Sequence, residues 1–96
     1  MGTYMLLISA TPEGIRKIAG VGGRYKAFRK SVKRAGGRLI GAWALLGHYD
    51  YMALVEVPAE KDIVRLSLSI GSRGASRVET LRAFSMQEFT KIARKL

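Results

Sequence analysis

Residues 38–57 read RLIGAWALL-GHYD-YMALVEV. Two runs, Arg38–Leu46 and Tyr51–Val57, flank the turn-forming link Gly47-His48-Tyr49-Asp50. A link this short makes the runs an antiparallel hairpin. In the second run Tyr51, Ala53, Val55 and Val57 fall on one face, and Met52, Leu54 and Glu56 on the other. The first run is apolar at nearly every position after Arg38. The hairpin is therefore greasy on both faces, whereas a sheet with one wet face shows polar alternation. Both faces need a cover.

Outward from the hairpin, Thr3–Ala10 reads as another strand with two apolar faces, Tyr4, Leu6 and Ile8 against Met5 and Leu7. Thr11-Pro12-Glu13 is a helix start: a hydroxyl cap, a proline at the first helical position and an acid in the first turn. Ile15 and Ile18 support one or two turns, and Gly20-Val21-Gly22-Gly23 predicts a break. A second helical run follows over Arg24–Ala35, with Phe28, Val32 and Ala35 on one stripe, and Gly36-Gly37 stops it. Beyond the hairpin, Pro58-Ala59-Glu60 opens a helix to about Ile70, ended by Gly71-Ser72-Arg73-Gly74. Ser76–Phe84 reads as the fourth strand. Ser85-Met86-Gln87-Glu88 matches a capping box before a last helix carrying Phe89, Ile92, Ala93 and Leu96. Strand, helix, strand, strand, helix, strand is the split βαββαβ arrangement, so the fold class is α+β, ferredoxin-like, with an extra C-terminal helix. A four-stranded antiparallel sheet carries two helices on one face. The other face is left for the C-terminal helix or for a second copy, stacked sheet to sheet into a barrel-like dimer across a twofold axis. Trp43, Tyr51, Met52 and Leu54 are the expected interface anchors.

The chain has 96 residues, 48% of them hydrophobic, which suits one domain over 1–96 with a real core. It has no cysteine and one histidine, so thiol chemistry, disulfides and a two-histidine metal site are excluded. No metal or cofactor is expected. No apolar run reaches the length of a membrane span, and the cytoplasm is the expected compartment. Seventeen Lys and Arg stand against seven Asp and Glu, a net charge of +10. Such a chain attracts polyanions through screened, sequence-blind forces.

Several short motifs, in their order and spacing, resemble the GYD domain family. They are Gly47-His48-Tyr49-Asp50 between two apolar strands, Thr11-Pro12-Glu13-Gly14-Ile15 after the first strand, and Gly36-Gly37 before the second. Gly71-Ser72 with Gly74, Arg77-Val78-Glu79-Thr80-Leu81-Arg82-Ala83-Phe84 and Glu88-Phe89 complete the set. The resemblance covers nearly the whole chain. It implies a ferredoxin-like domain related to dimeric α/β barrels, and no particular activity. The basic helix from Arg24 to Arg34 departs from the family's pattern.

Four constellations bear on chemistry. His48, Tyr49 and Asp50 could move or donate protons, but three adjacent turn residues cannot all point at one atom, and turn formation is the simpler reading. On the fourth strand Arg77 and Glu79 share one face, Thr80 and Arg82 the other. Arg77 and Arg82 are candidates to hold a carboxylate or phosphate, with cross-strand ion pairing as the plainer alternative. The glycine-rich turns match neither a P-loop nor a dinucleotide fingerprint. Arg24, Lys26, Arg29, Lys30, Lys33, Arg34 and Arg38 form a basic patch interleaved with Tyr25 and Phe28, suited to nucleic acid or simply to a solvated helix face.

Three function classes compete. The leading expectation is a non-enzymatic homo-oligomeric module, a homodimer or higher even oligomer, holding a small-molecule ligand between sheet and helices. The second is a small cofactor-independent enzyme resembling dimeric α/β-barrel oxygenases and isomerases, with Tyr49, Asp50 and either His48 or Arg82 in a pocket. The third is nucleic-acid binding through the basic helix.

Overall fold

A computed structural model describes residues 1–96. Strands β1 (Gly2–Ala10), β2 (Arg38–Ala44), β3 (Tyr51–Val57) and β4 (Ser76–Ala83) form one antiparallel sheet in the order β2-β3-β1-β4. Helices α1 (Pro12–Arg16), α2 (Val21–Arg34) and α3 (Glu60–Ser72) lie between strands, and α4 (Met86–Ala93) ends the chain. The ferredoxin-like order expected from the alternation is the one observed.

Leu6, at the centre of β1, faces the helices beside Ala53 and Thr80. Tyr4, Ala53, Val55 and Val57 join it, and Val32 of α2 with Ile63 and Leu66 of α3 close the core from above. These eight are the buried apolar residues. Thr11 caps α1 through its hydroxyl, which accepts from Gly14 N–H at 3.2 Å and donates to the Gly74 carbonyl at 2.6 Å. Gly14 is pressed so closely on the α3–β4 loop that a Cβ there would lie 2.1 Å from the Ala75 carbonyl oxygen.

Two boundaries differ from the expected ones. Helix α2 starts at Val21 rather than Arg24, so Gly22 and Gly23 form its first turn. A short 3-10 turn at Ile18–Gly20 feeds into it and supplies the Ile18 carbonyl to the Val21 N–H. Strand β2 ends at Ala44 rather than Leu46, and its pairing with β3 shifts between Leu39 and Gly41. That bulge sets aside Ile40. It also leaves Gly41 beneath the Trp43 ring, where a Cβ would meet the ring carbon Cη2 at 2.6 Å.

Helix α4 does not fold back onto the sheet, and every residue from Phe84 to Leu96 is exposed. The Ser85 hydroxyl accepts from Glu88 N–H at 3.0 Å, forming the expected capping box, and the helix is amphipathic through Phe89 and Ile92. The chain is drawn out to 50 × 30 × 18 Å with a radius of gyration of 14.5 Å; a compact chain of this length has about 12.5 Å. Its accessible surface is 6774 Å². A monomer of its 10.6 kDa mass exposes about 5,500 Å². A single copy thus carries roughly 1,300 Å² more surface than its size requires, more than the ~800 Å² that one partner contributes to a standard interface.

Candidate functional site

Pleating sorts the sheet into two functional surfaces. The open face carries Met5 and Leu7 of β1, paired with Leu54 and Met52 of β3; Trp43 lies beyond Met52, and Leu81 beyond Met5. Trp43, on the edge strand β2, is 50% exposed, and Leu81, on the edge strand β4, is 39% exposed. At the margin, Arg38 holds Glu56 through Nε at 2.9 Å and Nη2 at 2.7 Å. Arg77 and Glu79 face the same way on β4. Two arginines and two glutamates therefore surround the apolar centre, and the face has no net charge. An apolar centre inside a polar rim is the anatomy of a protein interface. Tyr51 does not belong to this group. Its pairing with Ile8 and Ala44 places it on the helix-covered face, so of the expected anchors Trp43, Met52 and Leu54 share the open face and Tyr51 does not.

The turn between β2 and β3 fastens onto the rim. Asp50 accepts from Ala10 N–H through Oδ2 at 2.8 Å, its own N–H donates to the Ile8 carbonyl at 2.9 Å, and its carbonyl accepts from Leu45 N–H at 2.8 Å. Both ends of the residue serve the sheet. The Tyr49 hydroxyl donates to the Glu79 carboxylate. That bond, before partial desolvation and the repulsion between the two negative forms, holds the Tyr49 pKa above its ordinary value of 10.0. His48 is exposed and meets the Tyr49 ring edge to face. Arg82 sits at the far end of β4 on the opposite sheet face, stacked over Tyr4 and Phe84 and donating to the Thr3 carbonyl at 3.1 Å. The structure therefore brings His48, Tyr49 and Asp50 together with Glu79 at one end of the sheet. It keeps Arg82 away from them, about five residues or 16 Å along the strand from Arg77.

A pH titration tests the tyrosine geometry. Because the neutral hydroxyl is the form that donates, its contribution to stability is full below pH 10 and is lost as pH climbs through the raised value. In an absorbance titration compared with Glu79→Ala, the wild type is expected to show a late tyrosine component that the variant loses. A wild-type curve with no late component contradicts the bond.

The basic patch divides in the same way. Lys26, Arg29, Lys30, Lys33 and Arg34 are exposed on α2 and form no ion pair, with Arg29 lying over the Tyr25 ring. Arg24 turns back to donate to the Lys17 carbonyl at 3.1 Å. Arg38 is committed to Glu56 and borders the patch, lining a shallow pocket with Tyr25, Arg29 and Lys33.

Between the sheet and the two long helices lies a cavity of about 430 Å³. Leu66, Ser69 and Ile70 of α3 and its C-cap residue Arg73 line it at helical spacing, and Val21, Arg24, Tyr25 and Phe28 of α2 face them. The sheet supplies Ile8, Ala42 and Tyr51. Sequence reasoning missed Arg73 and Ser69. Arg73 looked like part of a helix-ending turn, although its spacing from Leu66 and Ile70 continues the buried stripe.

A family model described as the GYD domain matches residues 4–93. A curated relative from Thermus thermophilus, named glutamine synthetase and cystathionine beta-lyase binding protein, is 28% identical over 89 residues. The match covers 92% of this chain and 94% of the relative. A crystal structure of a protein from the same organism covers 88% of this chain and 95% of its own, with a TM-score of 0.55 and 23% identity, a likeness of fold. No helix is long and apolar enough to cross a membrane.

Proposed function

We propose that this chain, which belongs to the GYD domain family, is a non-enzymatic, homo-oligomeric protein-binding module. Two copies join through their open sheet faces and display the α2 helices outward to an acidic partner protein. The observation that carries this reading is the uncovered apolar sheet face. A chain of net charge +10 repels its own copies. On the open face the charges balance, so seating a second copy there adds no local like-charge contact, and the repulsion of the remaining charge is screened by salt. Helix α4 adds an unpartnered apolar stripe, and the surplus surface of a single copy, α4 included, is more than one partner's share of a standard interface. The Thermus relative is named for binding two enzymes, which supports a protein partner for the basic surface over a substrate. Asp50 and Tyr49, engaged by Ala10 and Glu79, serve in this reading to fasten the turn.

Sedimentation velocity tests the assembly. Wild-type chain runs as a dimer or a higher even oligomer. Leu54→Glu and Trp43→Glu run as folded monomers, because each places a charge at the apolar centre of the interface. A monomeric wild type, or variants that keep the wild-type size, contradicts the reading.

Calorimetric titration with glutamine synthetase and cystathionine beta-lyase from the chain's own source tests the partner. Binding is expected to weaken as salt rises. It is expected to fall at least about tenfold in Lys30→Glu/Lys33→Glu/Arg34→Glu, whose melting temperature stays near wild type because all three side chains are exposed. No binding to either enzyme, with tight binding to duplex DNA instead, would transfer the basic helix to nucleic acid.

A further inference from the structure

We propose that the cavity between the sheet and helices α2 and α3 binds a small carboxylic acid with an apolar body, its carboxylate directed to Arg73. This goes beyond the protein-binding reading and does not depend on the sheet-face assembly. At about 430 Å³ the space suits a small organic molecule and is too large to be a packing flaw. Phe28, Leu66, Ile70 and Ile8 make its walls apolar, and the sheet floor at Ala42 and Ala53 is shallow, which gives an aromatic or branched body room to lie flat.

The polar groups are few and of one sign. Arg24 and Arg73 are the charged residues lining the space, and no aspartate or glutamate joins them. Glu13, the acid beside the Gly74 loop, is paired with Lys17 at 3.0 Å. Asp62 of α3 bonds the Ala59 N–H at 3.1 Å at the other end of that helix. Arg24 spends one donor on the Lys17 carbonyl. Arg73 forms no ion pair and no side-chain hydrogen bond. Tyr51, Ser69 and Ser76 also line the cavity, and their hydroxyls form no hydrogen bond within the chain. An arginine fork with nearby hydroxyl donors fits a planar carboxylate. A mostly apolar wall rejects sugars and nucleotides, whose many polar groups would lose their hydration unpaired. A neutral or cationic apolar molecule would leave Arg73 without a counter-charge.

The test uses the full chain with 3-phenylpropionate, indole-3-propionate and octanoate, each against its neutral amide, by calorimetry and amide-resolved NMR. At least one acid is expected to bind about tenfold more tightly than its amide, shifting Phe28, Ser69, Ile70 and Arg73. Arg73→Gln removes the preference for acid while leaving amide binding unchanged. Ser69→Trp fills the space and abolishes both. Equal binding of acid and amide would overturn the proposal, as would an Arg73→Gln variant that keeps the preference. So would shifts confined to Met5, Leu54 and Leu81 on the open sheet face, or no saturable binding of any acid at millimolar concentration. Sedimentation of Arg73→Gln, run in parallel, keeps this outcome separate from the fate of the sheet-face dimer.

Discussion

Leu6→Ala is expected to cost about 3 kcal/mol of folding stability and roughly 15 °C in melting temperature. Leu6 is wholly buried, at the centre of β1, where both neighbouring strands and both long helices meet. Truncation removes its transfer free energy and leaves a hole that the sheet cannot collapse around, since Ala53 beside it is already small. Met5, one residue away, faces the open side and is partly exposed. Met5→Ala therefore leaves the folding of a single copy near wild type. Denaturant unfolding at fixed protein concentration checks the pair. A loss below about 1 kcal/mol for Leu6→Ala would mean that the core lies elsewhere.

Gly14→Ala has the next largest expected effect, about 2–3 kcal/mol, from a single methyl group. The neighbour is the Ala75 carbonyl, whose oxygen accepts from Thr11 N–H at 3.1 Å. That carbonyl cannot withdraw without breaking the bond that ties the start of α1 to the α3–β4 loop. Thr11→Ala breaks the same junction more gently, through loss of a cap worth about 1 kcal/mol. Thermal melts of both variants should rank them in that order. Equal melting of Gly14→Ala and wild type would show that the loop has room to move.

Strand order, the hairpin, the caps at Thr11 and Ser85 and the two-faced sheet were legible because period-two patterning and cap chemistry are local. The start of α2 was not. Glycines weaken a helix by roughly 1 kcal/mol each, so Gly22-Gly23 read as a break, yet the preceding 3-10 turn delivers the chain already wound. The alternative covers for the open face also could not be separated from sequence. An amphipathic last helix reads the same whether it docks on its own sheet or projects from it, and here it projects. The site residues divide for a related reason. His48, Tyr49 and Asp50 stand out as a motif, while Ser69 and Arg73 at the end of α3 meet Tyr51 of β3 at the cavity from distant parts of the sequence. Arg82 reads as a ligand-binding arginine from its type alone, but its strand position turns it to the opposite face, against Tyr4 and Phe84.

The central claim is that a second copy covers the open sheet face. The most direct measurement is an isotope-filtered NOE experiment on an equal mixture of methyl-labelled and unlabelled chains, read at the methyls of Met5, Met52, Leu54 and Leu81. Contacts from these methyls to protons of the unlabelled copy are the predicted result. Methyls that show only contacts within their own chain, in a sample that sediments as a monomer, would contradict it.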